Sequence, residues 1–309
     1  MGEILRRSSF PYRGFFMIFI TGSKGQLGRA VVEEATKRDI SYTELSRSTL
    51  DISNKEAVDE YFNDRGGRSD CIVNCAAYTL VDTAEDHPSE AYVVNAYAPW
   101  VLAQTRLPVL HVSTDYVFDG TATSPYHIDA HCAPISVYGL SKRAGEMALL
   151  AARTKGAIVR TSWLYSARPD TKNFFHTIRR LAKTANKLTV VNDQIGAPTL
   201  AEDLAAALLD LYERGAHTHQ MHILHFSNAG RSTWYDFATA IMKETASTVK
   251  VEPISSSLYP TKAKRPAYSL LDLTTIYMTY GIKPRHWLDA LSDAVSCICQ
   301  NNTNKEKVR

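Results

Sequence analysis

Thr21-Gly22-Ser23-Lys24-Gly25-Gln26-Leu27-Gly28 follows a short apolar stretch, Met17–Thr21. It opens a segment, Gln26–Arg38, in which Leu27, Ala30, Val31 and Ala35 recur at helical spacing. Three glycines three apart thus stand between a strand candidate and a helix candidate. Gly22 suits the tight turn, Gly25 lets a pyrophosphate approach the backbone, and Gly28 lets the helix pack closely. The helix amino terminus adds unpaired N–H groups and a partial positive charge that suit phosphates. The stretch reads as a dinucleotide-binding loop; the competing reading is an ordinary structural turn.

Working outward, strands and helices alternate. Strand candidates are Ser41–Leu45, Cys71–Ala76, Pro108–Ser113 and Ala157–Thr161. Helix candidates between them are Lys55–Phe62, Ser89–Gln104 and Tyr138–Thr154. This rhythm predicts an α/β fold with a Rossmann-like, doubly wound parallel sheet covered on both faces. Past residue 165 the rhythm loosens. Helices are expected over Phe174–Thr184, Ala201–Tyr212, Thr233–Lys243 and Trp287–Ile298, and short strands at Leu188–Val191, Ile223–Phe226 and Val249–Ile254. The expected organisation is a leader (1–16), a nucleotide-binding domain (17–165), a smaller C-terminal substrate-binding region (166–300) interleaved with the last strands of the sheet, and a polar tail (301–309).

Composition agrees with a globular chain. Of 309 residues, 45% are hydrophobic and 22% charged, enough apolar mass for a full core. The net charge is +3, but residues 1–16 and 301–309 contribute +2 each, which leaves the body at −1. A near-neutral body gives no footprint for nucleic acid. Cys71, Cys75, Cys132, Cys297 and Cys299 form no CxxC pair and read as buried small hydrophobes in a reducing compartment. The apolar run Phe15–Ile20 is too short to span a membrane. A cytoplasmic location is expected, with an Arg-rich organelle presequence as the alternative reading of the leader.

The second constellation is Tyr138-Gly139-Leu140-Ser141-Lys142. With 16 tyrosines and 15 lysines, chance alone supplies about one YxxxK match, so the pattern counts only in context. Here it opens a helix, which puts both side chains on one face. It also follows Thr114, at the end of the fourth strand, where parallel sheets place their ligands. A ketone accepting hydride develops alkoxide charge that a tyrosine can protonate. A lysine one turn away lowers the phenol pKa and can hold a ribose, and a threonine hydroxyl can orient the carbonyl. The competing reading is a surface Tyr/Lys pair. After the second strand, Arg47 suits a 2′-phosphate and so NADPH, with NADH the alternative; it reads equally as a solvated charge. Asp51 and Ile52 are placed beside the adenine.

Together with "NCAAYTLVDTAE" (74–85), "STDYVFDG" (113–120), "PISVYGLSKRAGE" (134–146), "VRTSWLYS" (159–166), "NFFHTI" (173–178), "VNDQIGAPT" (191–199) and "RPAYSLLD" (265–272), these motifs resemble the dTDP-4-dehydrorhamnose reductase family of the extended short-chain dehydrogenase/reductase superfamily. The match covers residues 17–298. The resemblance implies a reductase of the 4-keto group of a nucleotide-linked 6-deoxyhexose, with Thr114, Tyr138 and Lys142 catalytic. It implies that Gly25, Gln26 and Leu27 meet the pyrophosphate, that Ala76, Ala77 and Tyr78 line the cofactor, and that Asn95 sits on the nicotinamide side. Thr114, Asp115 and Trp163 would meet the dTDP-sugar, and Arg265 its diphosphate. Some family members hold Mg²⁺ through glutamates at a dimer contact; here one such position is Ala30, and Glu202 stands isolated, so no metal is expected. A homodimer is expected. The alternatives are a non-catalytic NADP-binding regulatory subunit, like that of methionine adenosyltransferase, and a reductase of another dTDP-4-keto sugar.

Overall fold

The structure, a computed structural model, describes residues 17–63 and 70–307, with side chains as far as residue 298. The expected leader lies outside the described residues.

The first half alternates as its apolar pattern dictates. Its strands are β1 (Ile18–Thr21), β2 (Tyr42–Leu45), β3 (Cys71–Asn74), β4 (Val109–Thr114) and β5 (Gly156–Thr161). Its helices are α1 (Gln26–Lys37), α2 (Lys55–Asn63), α3 (Val81–Ala84), α4 (Pro88–Tyr92), α5 (Ala98–Gln104) and α6 (Val137–Ala151). β1, β3 and β5 are buried at every residue, as strands covered on both faces must be. The segment expected as one helix over Ser89–Gln104 is broken between α4 and α5 by a π-helical turn, Val93–Tyr97. The wider turn swings Asn95 into the interior, an insertion that apolar periodicity does not announce.

The second half holds β6 (Leu164–Tyr165), α7 (Phe174–Leu181), β7 (Lys187–Val191), β8 (Ile195–Gly196), β9 (Thr199–Leu200) and α8 (Ala201–Glu213). It continues with β10 (His222–His225), β11 (Ser232–Thr233), α9 (Trp234–Glu244), β12 (Lys250–Ile254), α10 (Thr274–Tyr280) and α11 (Trp287–Lys307). α11 runs beyond the expected end at Ile298, into the stretch expected as a polar tail. After Cys299 the helix continues through polar residues alone, Gln300 to Lys307, so the apolar periodicity stops before the helix does.

Six strands form one parallel sheet in the order β10-β5-β4-β3-β1-β2. The chain travels outward from β1 to β2, then crosses back to β3 on the other side. That switch leaves a crevice at the carboxyl ends of β1 and β3, where doubly wound sheets bind ligands. One face of the sheet is covered by α1, α8 and α10, whose Val31, Leu208 and Ile276 share a cluster with Ile18 and Ile20. Val58, Val101 and Leu149, from α2, α5 and α6, cover the other face. Residues past 165 therefore complete the nucleotide-binding layers through α8 and β10. The rest of the second half builds a separate core around Tyr165, Phe175, Phe237 and Trp287, with β7 paired to β12. No helix among the described residues is long and apolar enough to cross a membrane.

Candidate active site

Two clefts open at the carboxyl edge of the sheet and share Gly25, Cys75 and Ala77, so they form one groove. The first, of about 310 Å³, lies over the switch point. Gly22, at φ +67°, makes the turn that only glycine makes cheaply; a Cβ there would lie 2.7 Å from the Ala76 backbone. A Cβ on Gly28 would lie 2.2 Å from the Gly22 carbonyl oxygen. Gly28 thus lets the helix close on the loop itself. α1 begins after Gly25 with no side-chain cap, so its first amides remain available. An uncapped helix start, with Gly25 lining both clefts without a side chain to block the amides, fits a pyrophosphate.

Arg47, Asp51 and Ile52 line the far end of this cleft with Ala76, Ala77 and Tyr78. Arg47 is 87% exposed and held only loosely, its Nε 3.6 Å from Asp51 Oδ2. Hydrogen bonds from the Ser53 hydroxyl and amide hold the Asp51 carboxyl below its ordinary value.

The second cleft, of about 420 Å³, gathers Thr114, Asp115, Tyr138, Lys142 and Trp163 with Gln26 and Leu27. β4 delivers Thr114, whose Oγ1 accepts from the Tyr116 amide at 3.2 Å and donates to Asp115 Oδ1 at 3.0 Å. α6 starts at a Ser136 cap that accepts from the Gly139 amide, while Glu85 accepts from the Val137 amide. These caps set Tyr138 and Lys142 on the face toward β4. Burial pushes the Tyr138 phenol up to about 12, against the lowering effect of its hydrogen bond with Thr114. Burial pushes Asp115 up to about 7. Hydrogen bonds with Ser269 and Thr114 work against that rise, and the residue lines this cleft.

Trp163 leaves β5 at φ +45°, a left-handed conformation costing on the order of 1–3 kcal/mol in a non-glycine residue. That turn lays its ring on Trp234 from α9, 3.6 Å apart and within 6° of parallel. Trp234 escaped the sequence reading because its signal, an aromatic at a helix start, is common to core residues.

Four expectations change in detail. Lys142 was expected to depress the Tyr138 phenol. Instead its Nζ donates to the Val112 carbonyl at 2.6 Å, and the phenol is set by burial, Thr114 and Asp115. Asn95 does not line the groove: its amide is used up on Tyr78 N and O and on Ser141 Oγ, at 2.8–3.0 Å. It supports the cofactor-side loop from beneath. Arg265 was expected to be free for a diphosphate. Its fork is already engaged by Asp82, at 3.0 and 2.6 Å, and it lines neither cleft. The carboxylate partner lies 183 residues away in sequence, beyond any local reading. The Gln26 side chain bridges to Leu164 O and Asn173, at 3.2 and 2.7 Å, leaving only its backbone for a phosphate. As for metals, Ala30 is buried, Glu202 accepts from Ser166, and no group of three or more potential ligands converges among the described residues.

A doubly wound sheet, a glycine loop at its switch point and a Thr/Tyr/Lys set in the same groove define an extended short-chain dehydrogenase/reductase. The chain matches the RmlD substrate binding domain over residues 16–299. It is 40% identical over 289 residues to the dTDP-4-dehydrorhamnose reductase of Aggregatibacter actinomycetemcomitans, covering 89% of this chain and 97% of that one. The crystal structure of a dTDP-4-dehydrorhamnose reductase from Clostridium acetobutylicum superimposes with a TM-score of 0.85 at 36% identity, covering 92% and 99% of the two chains. That of Bacillus anthracis, in complex with NADP, gives 0.84 at 33% identity, covering 90% and 98%. The chain belongs to the dTDP-4-dehydrorhamnose reductase family.

Proposed function

We propose that this chain reduces the 4-keto group of dTDP-4-dehydro-L-rhamnose with NADPH, giving dTDP-L-rhamnose. The observation that carries the reading is that Thr114, Tyr138 and Lys142 line one groove, continuous with the glycine loop. The amides of Gln26 and Leu27 hold the pyrophosphate, Arg47 pairs with the 2′-phosphate, and Asp51 and Ile52 flank the adenine. Ala76, Ala77 and Tyr78 form the wall between them. When bound, the reduced nicotinamide supplies the hydride.

The chain's own residues do the rest. The Thr114 hydroxyl orients the C4 carbonyl oxygen. Tyr138 gives its proton to that oxygen as negative charge develops there, and it is left as phenolate. A phenol near 12 is fully protonated at neutral pH, as a proton donor must be. Asp115, which lines the cleft beside Thr114, accepts from a sugar hydroxyl. Trp163, backed by Trp234, packs on a sugar or base face and excludes water. The second-half core carrying α7 and α9 serves as the substrate-binding region. A homodimer and a cytoplasmic location belong to the same proposal; light scattering and cell fractionation test them.

The deciding experiment is NADPH consumption by the purified chain with dTDP-4-dehydrorhamnose, followed by identification of the product sugar. A product of other configuration assigns another dTDP-4-keto sugar. NADPH binding without turnover on any such sugar turns the reading to the regulatory subunit.

A further inference from the structure

His111 lies on β4, three residues before Thr114. It is wholly buried beneath the groove. Its protonation can be deduced from one backbone group. The Ala76 N–H can only donate, and it reaches Asn74 Oδ1 at 3.1 Å. The Thr21 hydroxyl donates to the same oxygen at 2.7 Å. The Asn74 amide is thereby oriented, because the reverse placement would set its NH₂ against the Ala76 N–H. Asn74 Nδ2 must then donate to His111 Nδ1, 2.9 Å away. Nδ1 accepts, so the neutral imidazole carries its proton on Nε2. Burial holds His111 well below its ordinary pKa, which keeps it neutral. Its Nε2–H faces Lys142 Nζ at 3.5 Å, and Nζ also donates to the Val112 carbonyl. A lysine ammonium here meets a second donor head-on, whereas a neutral amine accepts the Nε2–H in its lone pair.

We propose that His111 is a positioning residue for Lys142. With its tautomer dictated by Asn74, it holds the lysine nitrogen beside the Val112 carbonyl and favours release of the lysine proton. The role rests on the reductase reading above. There, the Tyr138 O–H bond breaks and its proton goes to the substrate oxygen. A Lys142 N–H bond then breaks and returns a proton to the phenolate, leaving the amine that His111 stabilises; solvent restores the ammonium. The other groups facing Lys142 do not provide this bias. Glu146, one turn on along α6, favours the ammonium and is itself engaged by Arg160, Arg143 and Ser113. Cys75, from the loop after β3, is a buried thiol pushed up to about 12 and stays neutral. Tyr138 keeps its proton until turnover. Burial acts in the same direction as His111, and Lys142 lies at about 8.

Three measurements test this, two of them independent of turnover. Nitrogen NMR of selectively labelled histidine in the wild-type chain is expected to show His111 as the Nε2–H tautomer; the Nδ1–H form or an imidazolium overturns the proposal. Competitive acylation of lysines across the neutral to alkaline range, read by mass spectrometry, gives the ionisation of Lys142. His111→Gln replaces the fixed donor by an amide that can turn its oxygen to the ammonium. That ionisation is expected to rise by about one pH unit, a tenfold change in proton affinity. No rise, or a fall, in a folded variant overturns the proposal. The third readout is kcat/KM against pH, whose alkaline decline is expected to move upward by the same amount in His111→Gln. A uniform loss without that movement assigns His111 a merely structural role. A wild-type chain without turnover fails the reductase reading alone, since the first two measurements still stand.

Discussion

Gly28→Ala tests the nucleotide loop at its tightest point. The added Cβ would lie 2.2 Å from the Gly22 carbonyl oxygen and 2.7 Å from Ser23 Cα. A carbon–oxygen contact needs about 3.3 Å, so helix and loop must part by about 1 Å. Both obstructing atoms are backbone, and no side chain can swing aside to absorb the movement. Overpacking of this kind costs about 1–3 kcal/mol. The free protein relaxes by opening the loop, and the strain returns when the amides of Gln26 and Leu27 are drawn back onto the pyrophosphate. At about 1.4 kcal/mol per tenfold, the Kd for NADPH is expected to rise roughly 5- to 150-fold. Titration of nucleotide fluorescence measures it, and a thermal melt confirms that the variant is folded. An unchanged Kd in a folded Gly28→Ala protein refutes the assignment of this loop to the pyrophosphate.

Tyr138→Phe removes the proposed proton donor; turnover should fall by ~10² or more while NADPH still binds, and near-normal turnover removes Tyr138 from the mechanism. Arg47→Ala should lower the ratio of kcat/KM for NADPH to that for NADH, because its exposed guanidinium has only a loose partner in Asp51; an unchanged ratio means another residue reads the 2′-phosphate. Arg265→Ala should act on stability more than on KM, since it removes the two-pronged pairing with half-exposed Asp82, a loss of about 0–1 kcal/mol, and a large rise in KM for the dTDP-sugar with an unchanged melt returns Arg265 to the diphosphate. The last expectation concerns pH. Burial works to raise the Glu146 carboxyl, but hydrogen bonds from Arg160, Ser113 and Arg143 hold it below its ordinary value. A carboxyl lowered on folding stabilises the protein above its unfolded pKa, and that stability is lost as pH falls through the folded one. Glu146→Gln should therefore cost about 3–5 kcal/mol at neutral pH, with the gap to wild type narrowing in acid; melts at both pH values that show a constant gap contradict it.

Local pattern carried much of this molecule. The alternation of apolar runs with helical periods located the first five strands; for β1, β3 and β5 the reason is burial on both faces, which leaves such runs almost unbroken by polar residues, whereas edge strand β2 was legible only from its place in the rhythm. The glycine loop was legible for a similar reason: chain geometry alone requires glycine at Gly22 and Gly28, and that requirement shows at fixed spacing. Tyr138 and Lys142 were legible because one helical turn sets them on one face. Long-range pairing was not legible. Asp82 for Arg265, Trp234 for Trp163 and Tyr78 for Asn95 meet only when distant segments pack, and either partner alone looks like an ordinary surface or core residue. The π-helical turn that buries Asn95 likewise follows from tertiary demands. His111 is the sharpest case. Its sequence shows only a histidine in a strand, while its tautomer depends on an amide from β3, a hydroxyl from β1 and one backbone N–H after β3. A sequence determines which groups can donate or accept; the packed structure decides which of them face each other, and so where each proton resides.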